Sequence, residues 1–226
     1  MYIKHANTSK QVTKNYYYCT ITVTIKFDQF CNTMVSLNKH VAVIFISALT
    51  IGQSAMYRFL PDDYDLFTNC EDRPELGGDS DLMDLSAFSI TFTDDVIQLN
   101  GTGLVLWDIE PTDRVTVDTE MRKFSRGTWQ SSYLSVKVND LCKEMKNTNS
   151  KMYDYWTKHI ISEFSCIGKG VKLQHEPFEI DGDFTMVGMN MEGRYAIVSI
   201  LHAYDRNNQL KPNGICLQIP GDIIKV

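Results

Sequence analysis

Beyond residue 55 the chain has three histidines, His159, His175 and His202. Acid–base or nucleophilic catalysis would need one of them beside a carboxylate and a hydroxyl or thiol. His202 falls inside the alternating run Tyr195 to Tyr204, where a packed or surface position is expected rather than a catalytic one. A Gly-x-Ser-x-Gly elbow, a phosphate-binding loop and a dinucleotide fingerprint are all missing from the sequence. Asp181-Gly-Asp183 resembles a fragment of a calcium loop but lacks the closing Glu, so it reads as a turn. The acids of Pro61-Asp-Asp-Tyr-Asp65 and Glu71-Asp72 read as solvated surface. These residues predict no catalytic set, no metal and no cofactor, and the chain is read as a non-enzyme.

Four cysteines follow, Cys70, Cys142, Cys166 and Cys216, with no Cys-x-x-Cys or His-x-x-x-His spacing to suggest zinc. An even count in an exported chain predicts two disulfides, and spacing alone leaves three connectivities open. The segment Phe184-Thr-Met-Val-Gly-Met-Asn-Met-Glu-Gly193 places Met186, Met189 and Met191 within six residues. Methionine is flexible and polarisable, which suits either an irregular core or an adaptable apolar binding surface.

Export is read from Met34 to Ala55. Lys39 and His40 form a positive start, Val41 to Ile51 an apolar core, and Gly52, Ser54 and Ala55 supply small residues for cleavage. That core has about eleven residues, short of the roughly twenty that span a bilayer as a helix, so no permanent membrane anchor is expected. The expected organisation is an extension at 1–33, a signal peptide at 34–55 and a single domain at 56–226. Without its first 55 residues the chain keeps 17 of its 22 Lys and Arg and 27 of its 28 Asp and Glu, a net charge of −10. That sign argues against nucleic acid as a partner, since phosphate backbones call for clustered cations. Asn100-Gly-Thr102 is a glycosylation sequon, which predicts a surface loop at Asn100.

Several runs must position these groups. Phe88-Ser-Ile-Thr-Phe92, Gly103 to Ile109, Arg114 to Phe124, Trp129 to Val138, Tyr195 to Tyr204 and Ile215 to Ile219 alternate or are β-branched, as strands do. Arg126-Gly127 and Asp205 to Gln209 read as the turns of two hairpins. Between the hairpins the apolar spacing becomes helical, at Leu141, Met145, Met152, Tyr155, Trp156 and Ile160, with Asn147-Thr-Asn149 as a break. The prediction is a mainly β, antiparallel cup or sandwich with a short helical insert around residues 139–162.

Taken in order, a set of short pieces resembles the ganglioside-activator family of lipid-binding proteins, and within it the insect chemosensory CheB branch. The pieces are Phe67-Thr-Asn-Cys70, Asn100-Gly-Thr-Gly-Leu-Val-Leu106, Arg126-Gly-Thr-Trp129 and Leu141-Cys-Lys-Glu-Met145, then Phe164-Ser-Cys166-Ile-Gly-Lys-Gly170, Gly193-Arg-Tyr195 and Ile215-Cys-Leu-Gln-Ile219. The resemblance implies antiparallel sheets around an apolar cavity, with Cys70 joined to Cys216 and Cys142 to Cys166. It implies a secreted carrier of a lipid, cuticular hydrocarbon or pheromone in contact chemosensation, with a chemosensory receptor or channel as partner. The alternative reading is an extracellular interaction module acting on a receptor or channel, or a sphingolipid-activator-like lipid presenter. It also implies that Phe184 to Gly193 forms the rim. On that reading Phe88, Ile90, Leu104, Leu106, Val136, Ile197 and Ile200 face the ligand, with Phe184, Met186, Met189 and Met191 at the lip. The chain departs from the vertebrate activators in lacking their short-range disulfides. It also has Ile167-Gly-Lys-Gly where they have Cys-Pro-Phe, so ganglioside specificity does not carry over.

Overall fold

The computed structural model describes residues 54–62, 66–93 and 96–226. The expected extension at 1–33 and nearly all of the stretch read as an export signal lie outside them. Ten strands are described: β1 (Ser54–Pro61), β2 (Thr68–Asn69), β3 (Met83–Thr93), β4 (Val96–Val105), β5 (Arg114–Ser125), β6 (Thr128–Val138), β7 (Lys172–Asp181), β8 (Asp183–Val187), β9 (Gly193–Tyr204) and β10 (Ile215–Lys225). They form a strongly curled sheet in the order β6-β5-β9-β10-β1-β8, with β2 on β10, and a smaller sheet β3-β4-β7. Every pairing between these strands is antiparallel.

The expected hairpins form. Arg126 and Gly127 both take positive φ, 53° and 81°, as a two-residue turn between right-twisted strands requires. The helical insert is three short pieces: α2 (Leu141–Lys146), α3 (Lys151–Tyr155) and a 3₁₀ turn at Thr157–His159, preceded in the chain by α1 (Asp79–Leu82). Asp140 caps α2 by accepting from the Lys143 amide, and Ser150 caps α3 by accepting from Tyr153, which satisfies amides that short helices leave open. Asn147 ends α2, at the expected break.

Several strands differ from the sequence reading. The second strand runs 96–105 rather than 103–109, so Asn100 lies inside β4 with its side chain exposed and not in a loop. Strands β1, β7 and β8 were not expected. β1 begins at Ser54, within the stretch read as an export signal, and β7 carries Pro177 amid charges, which interrupts its alternation. The β7–β8 turn at Gly182 carries the chain from the small sheet to the large one. There the Phe59 amide donates to the Gly182 carbonyl at 3.0 Å, and Asp183 pairs with Arg58.

The two sheets close on one core. Val105 and Leu173 of the small sheet meet Val115, Leu201, Ala203, Ile215 and Leu217 of the large one, with Leu141 and Met145 of α2. The opposite face of β9 and β10 holds Ala196, Val198 and Cys216 against Cys70, Leu76, Trp129 and Ile200. The structure joins Cys70 to Cys216, with Cα atoms 5.8 Å apart, and Cys142 to Cys166, at 5.3 Å.

Candidate ligand cavity

Between the sheets the core is hollow. A cavity of about 360 Å³ is bounded on one side by Met83, Leu85, Phe88 and Ile90 of β3, Leu99 and Val105 of β4, and Leu173 and Ile180 of β7. Val117 of β5, Leu201 of β9 and Leu217 of β10 face them. Leu141, Met145, Met152, Tyr155 and Trp156 of the helical insert close one flank, and Leu66, Phe67, Asp79 and Leu82 another. Such a volume is at the lower end of the range for small-molecule sites, and a predominantly apolar lining is what such sites usually present. Leu66, Phe67, Asp79, Leu85, Phe88 and Ile90 also line a second depression of about 660 Å³, bordered by Thr68 and Asn69. This more polar space shares those six residues with the cavity and so forms its mouth.

β-Bulges determine which side chains reach the cavity. On β3 the register slips between Asp84 and Ala87, so the inward set passes from Met83 and Leu85 to Phe88 and Ile90. On β7 the slip falls at Glu176-Pro177, and the buried set passes from Leu173 and His175 to Phe178. Proline lacks the amide a ladder needs, so a bulge is where a strand tolerates it. Gly101 of β4 lies opposite both Phe88 and His175, with φ of 125°. A Cβ there would strike the Ala87 backbone. Across the glycine the Phe88 and His175 rings meet edge-on, with centroids 5.4 Å apart.

Of the residues expected to face the ligand, Phe88 and Ile90 line the cavity. Leu104 does not: it pairs with Asp84 and Lys172 on the outer face, and its neighbour Val105 points inward. Leu106 lies past the end of β4 and is exposed. Val136 is 64% exposed on the edge strand β6. Ile200 packs on the Cys70–Cys216 side, and Ile197 shares the inward face with Leu201 without lining the cavity. For Leu104 and Ile200 the difference is a one-residue matter of face, whereas Leu106, Val136 and Ile197 lie beyond the reach of the cavity along or across the sheet.

The methionine segment also differs from expectation. Its first half is β8, and Gly188 and Gly193, both at positive φ, fold the remainder back. Met191 is thereby buried against Tyr57, Tyr195 and Ile223, with Phe184 and Met186 packed beside it. The Tyr57 hydroxyl donates to the Met189 carbonyl at 3.0 Å, while the Met189 side chain stays exposed. Tyr195 shares a face of β9 with Leu201, and Ile223 shares a face of β10 with Leu217. One face of the curled sheet therefore carries the hollow at one end and this filled cluster at the other. Sequence reasoning did not assign the helical positions to the wall, although the spacing of Leu141, Met145, Met152 and Trp156 had marked them as one apolar face.

The histidines do not assemble an acid–base site on the cavity. His159 faces Glu176 at 3.5 Å near the surface and stacks on Phe178, while His202 lies on β9 beside Gly214. His175 is only 3% exposed, and its ring lies 4.5 Å from Trp156 and 5.7 Å from Phe178. Its Nδ1 is 3.2 Å from the Leu173 carbonyl, and Nε2 has no partner. Burial pushes this imidazole below its ordinary value of 6.5, the Leu173 carbonyl opposes the shift, and His159 adds to it. The unfolded chain therefore takes up this proton at higher pH than the folded one does. The stability contributed by neutral His175 is complete above pH 6.5 and is lost as pH falls below it. We expect the unfolding free energy to fall by up to about 1.4 kcal/mol per pH unit in that window. Thermal melts of wild type and His175→Phe from pH 7.5 to 5 should show the fall in the first and a flatter profile in the second. Asp62, held low chiefly by its hydrogen bond from Arg194, loses stabilisation only below its ordinary 3.8, outside the window.

Among the described residues no helix is long and apolar enough to cross a membrane. No family model matches the chain, and no curated protein does. Among solved structures, the crystal structure of a Niemann-Pick type C2 protein from Japanese carpenter ant matches over 68% of this chain and 96% of that one, at 13% identity and a TM-score of 0.25. So low a superposition transfers no property to this chain.

Proposed function

We propose that the protein is a secreted, non-enzymatic carrier of an apolar ligand, a lipid or hydrocarbon held between the two sheets. One observation carries this reading: the centre of the core is a cavity of about 360 Å³ walled by aliphatic, methionine and aromatic side chains. A void of that size lined by Leu, Met and Phe forfeits dispersion contacts that a filled core would make. An apolar guest restores them and removes its own surface from water at about 25 cal/mol per Å². The signal-like segment and the two disulfides support export, and glycosylation at the exposed Asn100 goes with it. The sequence resemblance supports the finer reading, a pheromone or cuticular hydrocarbon carried in contact chemosensation to a receptor or channel.

The test is a titration of delipidated protein with N-phenyl-1-naphthylamine, a neutral dye that fluoresces in apolar surroundings. Saturable binding at one site per chain, reversed by a long-chain hydrocarbon or alcohol, is expected. A dye signal no larger than that of denatured protein would sink the proposal.

A further inference from the structure

The mouth of the cavity carries a charge asymmetry with consequences for the ligand's polar end. Among the described residues, no Lys, Arg or His lines either the cavity or its mouth, and Asp79 is the one charged residue on both. Its neighbours there are Asn69 and Thr68, and the Thr68 hydroxyl already donates to the Gln218 carbonyl at 3.2 Å. A carboxylate or phosphate head at this position would meet a like charge and no counter-ion. A hydroxyl or ammonium would meet an acceptor.

Resting on the carrier reading above, we propose that the mouth selects among ligands with a polar end: an apolar chain ending in an uncharged or cationic hydrogen-bond donor is favoured there, and anionic lipids such as fatty-acid carboxylates are disfavoured through Asp79. The inner volume sets the length of the buried part. At about 30 Å³ per group, the liquid share of a water molecule, about 360 Å³ accommodates roughly a dozen methylene-sized groups. Beyond that length the chain reaches the mouth, where its head meets Asp79.

Twelve-carbon ligands differing only in their heads test this by displacing N-phenyl-1-naphthylamine at pH 7.5 and low salt. Dodecan-1-ol and dodecylammonium should each bind at least about tenfold more tightly than dodecanoate, the scale of one like-charge contact at intermediate dielectric. In Asp79→Asn, dodecanoate should gain about as much, dodecylammonium should weaken, and added salt should narrow the wild-type difference. Dodecanoate binding as tightly as the alcohol in wild type would overturn the inference, as would an unchanged ratio in Asp79→Asn. Failure of all three ligands to displace the dye would instead remove the carrier reading on which it rests.

Discussion

Replacing Cys70 and Cys216 together by alanine should lower the unfolding free energy by about 4–5 kcal/mol, the upper part of the range for native disulfides. The bridge joins residues 146 apart in sequence, and the entropy model gives about 5 kcal/mol for a loop that long. The second bridge, Cys142–Cys166, spans 24 residues, for which the same model gives about 3.5 kcal/mol. Alanine is preferred to serine because both Cys70 and Cys216 are buried, and a hydroxyl among Ala196, Val198 and Ile200 would add its own desolvation penalty. Domains of this kind are stable by about 5–15 kcal/mol in all, so the loss is a large share. It should appear as a drop in thermal midpoint of roughly 10–20 °C at this chain length. Urea titrations of wild type and the double variant measure it. A loss under about 1 kcal/mol at unchanged slope would contradict the assignment of this bridge as the main constraint on the unfolded chain.

The second large effect concerns ligand capacity. Val117 pairs with Leu201 across β5 and β9, and both side chains line the hollow. A Val117→Trp side chain grows into the space a ligand would fill. Displacing three or four methylene groups of a bound chain, at about 0.8 kcal/mol each, removes roughly 2–3 kcal/mol of binding. That corresponds to a loss of about 30- to 150-fold in affinity. Stability should change little or rise, because the indole fills a void instead of overpacking a filled core. Val136→Trp is the matched control, since Val136 is exposed on the edge strand β6 and touches no wall of the cavity. Dye titration and thermal melts of the two variants separate the outcomes. If Val117→Trp binds like wild type, the ligand does not occupy this cavity.

The parts of the fold that were legible in the sequence are those set by local chemistry. Arg126-Gly127 marks a hairpin because the turn demands positive φ at both positions, and Asp140 marks a helix start because its carboxylate meets an open amide. The face of each strand was less accessible. Bulges on β3 and β7 shift the inward set partway along, from Met83 and Leu85 to Phe88 and Ile90 and from Leu173 and His175 to Phe178, while β4 keeps its alternation and turns Val105 rather than Leu104 to the hollow. Alternation read from one strand carries no signal of a slip that depends on its partner. The methionine segment misleads for a related reason. Its composition suits a rim, but two positive-φ glycines turn it back and bury Met191 between Tyr57 and Tyr195. The cavity wall drew instead on the helical insert, whose apolar spacing was plain while its target was not. Asp79, on which head-group selection rests, belongs to a four-residue helix with no apolar period to mark it.

The central claim is that a guest molecule occupies the space between the sheets. Native mass spectrometry of the protein secreted from eukaryotic cells tests it most directly, with the released molecule identified after denaturation. The account predicts a population heavier than the apo chain by the mass of one small molecule with an apolar chain, reduced or absent in Val117→Trp and retained in Val136→Trp. Wild-type protein carrying no such adduct, and acquiring none when incubated with dodecan-1-ol, would contradict it.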